Sequence, residues 1–590
     1  PVMWSIERTE SASLPGRFLP LVIAVGLLAG VFAPIGAAAQ SDDLRPKFPR
    51  VIWLEDPAHS ATIVWMTKEK GRNHAIYYDT EPHKGNVEEY DHALNPQRTI
   101  PESGDHAWFH HALLEDLEPS AKYWFVVETD GQTSQEYHFE TAPADDRPFK
   151  LMYGGDSRSD RKNRQNVNDF LRERFSGDDS ILALVHGGDY IASAVVWDQW
   201  VAWMEDWMRT TTRQGQLLPI VPGRGNHEFS LAGLDEQTDN YNAVFGIPGG
   251  EELDYWTTEF GAHTAFITLD TNSTLGGDQR EWLESQLTKH TGERRWILAN
   301  YHRPAYPAVK SAGAARTHWV PLFEKYNVDL VCESDGHVLK RTVPIRDGEQ
   351  AADGIVYVGE GGLGVKQRTP DERWYLEEPG MAMSAHHIQL LSFGPDELGY
   401  KALTLDGSVV DQKTFEPRRQ VEPVPLGLEA VDVQEPTRLH VELTKGLKAE
   451  TVDTDDFAFE AEVAISEAQM HDNFDDTVVL TTAPLQKGNS YTLTASAMKD
   501  LLGHDIEADA SLTFTYGVQE ADPTDAPDAD TGGEDAGGES DESDSQEMSN
   551  DEPSEATTKS GCSVGGTTPP SPAGLAFLVI AAVWLRRKRN

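Results

Sequence analysis

Residues 181–190 read ILALVHGGDY, an apolar run followed directly by a Gly-Gly-Asp turn. A short apolar run that ends in glycines is typical of a buried strand in a parallel sheet. In α/β sheets, ligand groups collect just beyond the carboxyl ends of such strands. The pattern therefore predicts that Asp189 lies at the carboxyl edge of an α/β sheet.

Four further polar clusters follow apolar runs in the same way. A cluster of this kind is by itself an ordinary turn, but five in order would aim Asp, Asn and His side chains at one place. Such a mixed oxygen and nitrogen shell suits transition metals, and an Asp can bridge two ions. The other four clusters are GGDSR (154–158), GNHE (225–228), NYHRP (300–304) and ESDGH (333–337).

The order of these clusters resembles that of the calcineurin-like metallophosphoesterases, in particular their purple-acid-phosphatase-like branch. The resemblance covers roughly 147–365 and includes FITLDTN (266–272) and IVYVGEGGLG (355–364). It implies an α/β metallophosphoesterase sandwich over 147–415, with a ββ core flanked by helices. Helical patterns such as REWLESQL (280–287) alternate with apolar strands, which independently indicates an α/β domain.

The resemblance implies two metal ions, which could be Fe, Mn or Zn. Asp156 would bind the first ion, Asp189 would bridge both, and Asn226 and His302 would bind the second. His227 would lie over the substrate phosphate as a hydrogen-bond donor or general acid. A dinuclear, metal-bound hydroxide would attack phosphorus in line.

Two arginines beside these clusters are candidate phosphate contacts. Arg158 follows the first Asp and Arg303 follows the fourth cluster's His. A guanidinium matches phosphate oxygens in pairs, so both are predicted to act on the substrate.

The last cluster departs from the family's Gly-His-x-His and leaves two registers open. In one, Gly336-His337 takes the first Gly-His and Leu339 stands where a ligand His belongs. In the other, Asp335 takes the place of the first His and His337 that of the second. We prefer the second register because it keeps every ligand, with Asp335 at the second metal and His337 at the first.

The first metal has few obvious ligands. The purple enzymes carry a Tyr three residues after the bridging Asp, and here that residue is Ala192, with Tyr190 directly after Asp189. Another branch carries a His two residues after the first Asp, where this chain has Arg158. We therefore expect a first site that is weak or empty, and an enzyme without the purple colour.

Two strand-rich regions flank the predicted catalytic domain. Residues 46–146 carry alternating runs such as AIYYD (75–79) and YWFVVE (123–128), and they resemble the fibronectin-III-like domain that precedes the catalytic domain in purple acid phosphatases. Residues 420–516 resemble a bacterial Ig-like domain. Both regions are predicted to be β-sandwiches.

The two ends of the sequence predict an exported protein. Residues 1–39 have the order of a secretory signal peptide, with cleavage before Gln40, and an uncleaved membrane anchor is the alternative. Residues 517–560 form an acidic linker without apolar periodicity. Residues 561–590, with Cys562 and a basic end, resemble a MYXO-CTERM sorting tail, and the alternative is a transmembrane anchor. We expect an extracellular or cell-surface location, with the cell envelope as a partner.

Composition excludes several classes of function. The 590 residues carry a formal net charge of −47, which argues against binding nucleic acid through its phosphates. Only 2 cysteines are present, so the chain is neither a disulfide scaffold nor a four-cysteine zinc protein. Cys332 and His186 are expected to be structural.

The predicted function is an exported, metal-dependent phosphoric ester hydrolase that acts on small phosphomonoesters, as an acid phosphatase does. The same core also suits a phosphodiesterase or nucleotide hydrolase. A protein from another class remains open as well, namely a surface binding or adhesion protein with a decayed catalytic core.

Overall fold

The computed structural model describes residues 42–229, 236–247, 254–508 and 510–517. The predicted signal peptide over 1–39, the acidic linker beyond Gly517 and the tail over 561–590 lie outside these residues. Within the described part of the chain, no helix has the length and apolarity needed to cross a membrane.

The N-terminal region consists of nine strands around a buried aromatic core that includes Trp53, Trp65 and Phe125. Strands β4, β3, β7 and β8 form one sheet in that order, and β9 pairs with the other part of β7. The strands are β1 (Lys47–Ile52), β2 (Ala61–Thr67), β3 (His74–Asp79), β4 (His92–Leu94), β5 (Arg98–Pro101), β6 (Trp108–Leu114), β7 (Lys122–Thr129), β8 (Gln132–Thr133) and β9 (Tyr137–Glu140).

The central region alternates strands and helices, as its sequence predicts. Its first half contains β10 (Phe149–Gly154), α1 (Arg161–Phe175), β11 (Ile181–His186), α2 (Trp197–Trp207), β12 (Ile220–Pro222), α3 (Glu236–Phe245), β13 (Trp256–Phe260) and β14 (Thr264–Thr268). Its second half contains α4 (Asp278–Thr291), β15 (Trp296–Tyr301), α5 (Ala315–His318), α6 (Val320–Lys325), β16 (Leu330–Glu333), β17 (Leu339–Arg341), β18 (Ile345–Arg346), β19 (Glu349–Gln350), β20 (Val356–Gly359), β21 (Met381–Met383), β22 (His387–Phe393), β23 (Leu398–Thr404) and β24 (Val409–Phe415).

The first central sheet extends into the N-terminal region. Its order is β24-β23-β22-β10-β11-β12-β1-β2-β6-β5, and β10, β11 and β12 run parallel. The link is the parallel pair β1–β12, in which Ile52 lies opposite Ile220. One sheet therefore runs through both regions.

The second central sheet packs on the first. Its order is β13-β14-β15-β16-β20-β17-β21, with β14, β15, β16 and β20 parallel. Tyr153 from the first sheet and Leu298 from the second belong to the buried cluster between them. Trp203 of α2 covers the outer face of the first sheet, and Phe323 of α6 covers that of the second. These four layers confirm the predicted ββ core flanked by helices.

The C-terminal region is a small two-sheet unit with its own buried cluster, in which Leu439, Val478 and Leu493 are fully enclosed. Buried Lys445 forms an ion pair with Asp500 inside this unit and another with Asp146, which directly precedes the central region. Its sheet orders are β25-β26-β29-β28 and β27-β30-β31. The strands are β25 (Leu428–Glu435), β26 (Arg438–Leu443), β27 (Phe457–Phe459), β28 (Ile465–Met470), β29 (Thr477–Thr482), β30 (Ser490–Ala495) and β31 (Ser511–Thr515).

Candidate metal centre

The polar clusters follow the carboxyl ends of parallel strands in both central sheets. Asp156 follows β10 and Asp189 follows β11 in the first sheet. His302 follows β15 and Asp335 follows β16 in the second. Because the two sheets pack face to face, these strand ends bring the four side chains to one place.

Four residues of these loops adopt a left-handed backbone conformation. The φ angles are 59° at Asp156, 62° at Asp189, 69° at Asp335 and 60° at His337, all in the left-handed region. Residues other than glycine seldom adopt this region, and such strain persists only where the surrounding structure enforces it. Strained backbone of this kind occurs at functional sites, and here it carries three of the polar residues that the sequence predicts as ligands and His337.

Asp156, Asp189, His302 and Asp335 form a tetrad of buried ligands. Each offers one ligand atom, and these atoms all lie within 4.8 Å of one another. The His302 Nε2 lies 3.2 Å from Asp189 Oδ1 and 3.8 Å from Asp335 Oδ1. Carboxylate oxygens and an imidazole nitrogen at this spacing can surround one metal ion.

The hydrogen bonds of the tetrad leave ligand atoms free for a cation. His302 donates its Nδ1–H to the Gly187 carbonyl at 2.7 Å, so the Nε2 lone pair faces the tetrad. Among the described residues, neither His302 Nε2 nor Asp156 Oδ1 has a hydrogen-bond partner, although both atoms are buried. Buried polar atoms without a partner are costly, and a metal ion would satisfy both. The tetrad therefore fits a metal.

The electrostatics of the tetrad also favour a cation. Burial lowers the pKa of His302, but the carboxylates of Asp189, Asp156 and Asp335 outweigh it and raise that pKa to about 10. A cation, whether a proton on this imidazole or a metal ion, is thus stabilised between the three carboxylates.

The side chains of Asp335 and His337 contact different members of the tetrad. Asp335 lies beside His302, whereas the His337 Nε2 lies 3.2 Å from Asp156 Oδ1. The Asp335 N–H donates to Asp156 Oδ2 at 2.9 Å, and the His337 N–H donates to the Glu360 carbonyl at 2.7 Å. The turn after β16 thus places both side chains toward the tetrad side of the sheets.

Glu228 ties two of the loops together from behind. Its buried carboxylate accepts hydrogen bonds from the N–H groups of Asp189 and Tyr190 at 2.8 Å and of Gly225 at 2.9 Å. The loops are so close that a Cβ on Gly188 would lie 2.4 Å from the Gly225 nitrogen, and φ of Gly188 is +93°. Only glycine fits there.

His227 has a defined orientation at the edge of the site. Its N–H donates to Asp189 Oδ1 at 3.1 Å and its Nδ1–H to the Ala192 carbonyl at 2.7 Å. Because a carbonyl only accepts, Nδ1 keeps its proton and Nε2, 3.8 Å from Asp189 Oδ2, is the atom that can exchange one. Asn226, in the same turn, is half-buried.

Three basic side chains surround the tetrad or its loops. Arg158 donates its Nε–H to Asp189 Oδ2 at 2.9 Å. Lys310 forms a very short ion pair with Asp335 Oδ1. Half-buried Arg303 donates its N–H to Thr271 Oγ1 at 3.2 Å, and its guanidinium has no hydrogen bond or ion pair within the described part of the chain. The sequence motifs contain Arg158 and Arg303 but give no sign of Lys310.

No tyrosine reaches the tetrad from the position after Asp189. Tyr190 is buried and stacks on His186 at 3.9 Å, with Phe245 on another side. His186 itself contacts Ser157 Oγ through Nε2 and is buried, as a structural residue would be. Cys332 is likewise buried in the cluster between the sheets.

Comparisons with known families agree with this architecture. Residues 161–339 match the profile of the calcineurin-like phosphoesterases. This segment is thus similar to a calcineurin-like phosphoesterase domain. Residues 46–141 match the purple acid phosphatase N-terminal domain. The match to the N-terminal domain therefore precedes the phosphoesterase match along the chain.

Curated relatives share part of their length with this chain. An uncharacterized protein of Mycobacterium tuberculosis is 26% identical over 294 residues, which is 44% of this chain and 53% of that protein. The Fe(3+)-Zn(2+) purple acid phosphatase 12 of Arabidopsis thaliana is 22% identical over 322 residues, 50% of this chain and 66% of that enzyme. The chain thus spans about half of the mycobacterial relative.

A solved structure shows the same fold. A purple acid phosphatase from yellow lupin (Lupinus luteus) seeds superposes with a TM-score of 0.54 at 18% identity. The superposition covers 63% of this chain and 74% of the lupin enzyme. The fold of the N-terminal and central regions therefore resembles that of a purple acid phosphatase.

Proposed function

We propose that this protein is a metal-dependent phosphoesterase that hydrolyses small phosphomonoesters. The observation that carries the proposal is the tetrad of Asp156, Asp189, His302 and Asp335, with unpaired ligand atoms beyond the ends of parallel strands. A metal bound there would polarise the phosphoryl oxygens and lower the pKa of bound water. A phosphodiester is the alternative substrate class for the same centre.

The protein's own side chains supply the remaining chemistry. The His227 imidazole is fixed through Nδ1, so its protonated Nε2 can donate to the oxygen of the leaving alcohol. Its side chain is 29% exposed, which leaves it within reach of a substrate. We assign His227 the role of general acid.

Basic groups offset the negative charge of the carboxylates and of a phosphate. The side chains of Arg158 and Lys310 are 14% and 39% exposed, and Arg303 is half-buried. Each of them can therefore face an entering ligand. The chain as a whole is strongly acidic, and long-range attraction of a phosphate ester is therefore absent. These three cations make the site itself locally favourable for a phosphate.

The proposal is tested with the full-length protein and two aryl phosphates. Metal-loaded protein should release nitrophenol from p-nitrophenyl phosphate faster than from bis-p-nitrophenyl phosphate. Asp189→Asn removes a tetrad carboxylate and should lower kcat/KM by about 10²–10³-fold, since metal stabilisation of the transition state contributes several kcal/mol. The matched control is Asp169→Asn, because Asp169 is a partly exposed carboxylate of α1 that pairs with Arg172 and Arg209. Equal activity of the two variants would refute the assignment.

We also propose that the protein is exported and held at the cell surface. The support is the signal-like order of residues 1–39 and the sorting-like tail of 561–590. Sequencing the N-terminus of protein recovered from the envelope fraction should give Gln40 as the first residue. Recovery of the unprocessed protein from the cytosol would contradict this proposal.

A further inference from the structure

The guanidinium of Arg158 contacts two atoms that could otherwise bind a second metal ion. Its Nε–H donates to Asp189 Oδ2 at 2.9 Å, and its second terminal nitrogen lies 3.4 Å from His337 Nε2. To bridge two ions, the Asp189 carboxylate needs a lone pair for each of them, and Oδ2 would serve the second ion. An imidazole needs its Nε2 lone pair to bind a metal. Arg158 contacts both of these atoms.

The position of Arg158 is built into the fold. Its backbone N–H donates to the Asp189 carbonyl at 3.1 Å, and its terminal NH1 donates to Ser159 Oγ at 3.1 Å. The side chain is 14% exposed, so most of it is enclosed. Hydrogen bonds at the backbone N–H and at the guanidinium therefore hold the Arg158 side chain against the Asp189 carboxylate.

The tetrad, by contrast, supplies four ligand residues for a single ion without His337, although Lys310 also pairs with one of them, Asp335. Its four ligand atoms come from Asp156, Asp189, His302 and Asp335, and two of its buried atoms have no partner in the described residues. We infer that this protein binds one metal ion in the tetrad and that the fixed charge of Arg158 takes the place of the second. This inference rests on the proposed function. The place that Arg158 takes is the first metal site, beside His337, which the sequence predicts to be weak or empty.

The same arrangement places Arg158 next to the substrate. A second metal ion would neutralise charge on the phosphoryl oxygens, and a guanidinium can do so by donating paired N–H groups. Since Arg158 uses its Nε on Asp189 and NH1 on Ser159, its other terminal nitrogen, on the His337 side, is the one that can turn to a phosphate oxygen. The chemistry points to a phosphomonoester, whose terminal oxygens carry the most charge.

The test is a count of metal ions in the full-length protein. Chelated protein is reloaded with Mn²⁺, freed of unbound ion, and analysed by elemental mass spectrometry and electron paramagnetic resonance. We expect one Mn²⁺ per chain with an uncoupled six-line spectrum. Arg158→His removes the charge and adds a ligand, and should raise the count to two with a spin-coupled spectrum.

Two control variants separate charge from folding. Arg158→Lys keeps a positive charge and should still bind one ion. Arg161→His changes an arginine that pairs with Glu205 and Asp206, away from the tetrad, and should also bind one ion. A melting temperature of Arg158→His close to that of Arg161→His establishes that Arg158→His is folded. If Arg158→His is unfolded, the number of Mn²⁺ ions in the wild type alone decides the inference.

The outcomes distinguish this inference from the proposed function. Two ions in the wild type, with phosphate release, would overturn the inference alone. One ion in both the wild type and folded Arg158→His would also overturn it, since the guanidinium would not be what excludes the second ion. No bound ion in the wild type would overturn both the inference and the proposed function.

Discussion

Replacing Lys340 by methionine should destabilise the central region strongly. The Lys340 ammonium is completely buried and donates to Glu333 Oε2 at 2.5 Å, to Glu360 Oε1 at 3.2 Å and to the Tyr306 carbonyl. The two glutamates are completely buried as well. Methionine has a similar shape but no charge, so Lys340→Met leaves two carboxylates in the interior without their cation.

The size of the effect follows from this burial. Removing one partner of a buried ion pair costs about 3–5 kcal/mol. For a folding unit of this size, each kcal/mol lowers the melting temperature by roughly 2–4 °C, so a decrease on the order of 6–20 °C is expected. Calorimetry of wild type and variant at neutral pH provides the measurement.

The matched control is Lys325→Met. Lys325 also pairs with a glutamate, Glu284, at 2.6 Å, but its side chain is 57% exposed. Exposed ion pairs contribute little, and this variant should melt with the wild type. If the two variants shifted the melting temperature equally, the assignment of Lys340 as a required buried cation would be wrong.

Three further predictions concern the site and the pH dependence of stability. His227→Gln should lower kcat by about 10²–10⁴-fold while the metal content stays unchanged, because the residue acts as a general acid; a reduced metal content would instead make it a ligand. Lys310→Met should raise KM for a phosphomonoester by about 10–100-fold through loss of a charged hydrogen bond, and an unchanged KM would place Lys310 outside the substrate site. Burial, followed by the charges of Asp475 and Glu118, raises the pKa of Asp476 to about 6. Between about pH 4 and 6 the native state therefore binds more protons than the unfolded state, and the free energy of unfolding falls as pH rises through that window. The free energy of unfolding of Asp476→Asn should therefore exceed that of wild type by about 1–2 kcal/mol at pH 7.5 and by almost nothing at pH 4. A uniform gain at both pH values, or the same profile in the control Asp455→Asn at an exposed site, would contradict this reasoning.

The strand ends could be predicted from the sequence because residues adjacent in the chain mark each of them. An apolar run followed by a polar cluster marks Asp156, Asp189 and His302 without knowledge of the fold. Helix α4, with the pattern REWLESQL, and the apolar strand that ends in Glu333 could be predicted equally well, because burial demands continuous or periodic apolar residues.

Long-range contacts could not be predicted in this way. Lys310 lies in the loop between β15 and α5, and nothing in its surroundings signals that it meets Asp335. The parallel pair of Ile52 with Ile220 joins segments far apart in sequence, so a sheet shared by the N-terminal and central regions could not be predicted. The contact of Arg158 with Asp189 could not be predicted for the same reason, although the GGDSR cluster indicated Arg158 as a phosphate contact.

The central claim is that a metal ion held by the tetrad drives phosphoester hydrolysis. The most direct measurement is phosphate release by the full-length protein after chelation and after stepwise return of Mn²⁺ or Zn²⁺. We predict that chelated protein is inactive and that activity returns in proportion to bound metal. Full activity in the metal-free protein, or no hydrolysis of any phosphoester by the metal-loaded protein, would contradict the account.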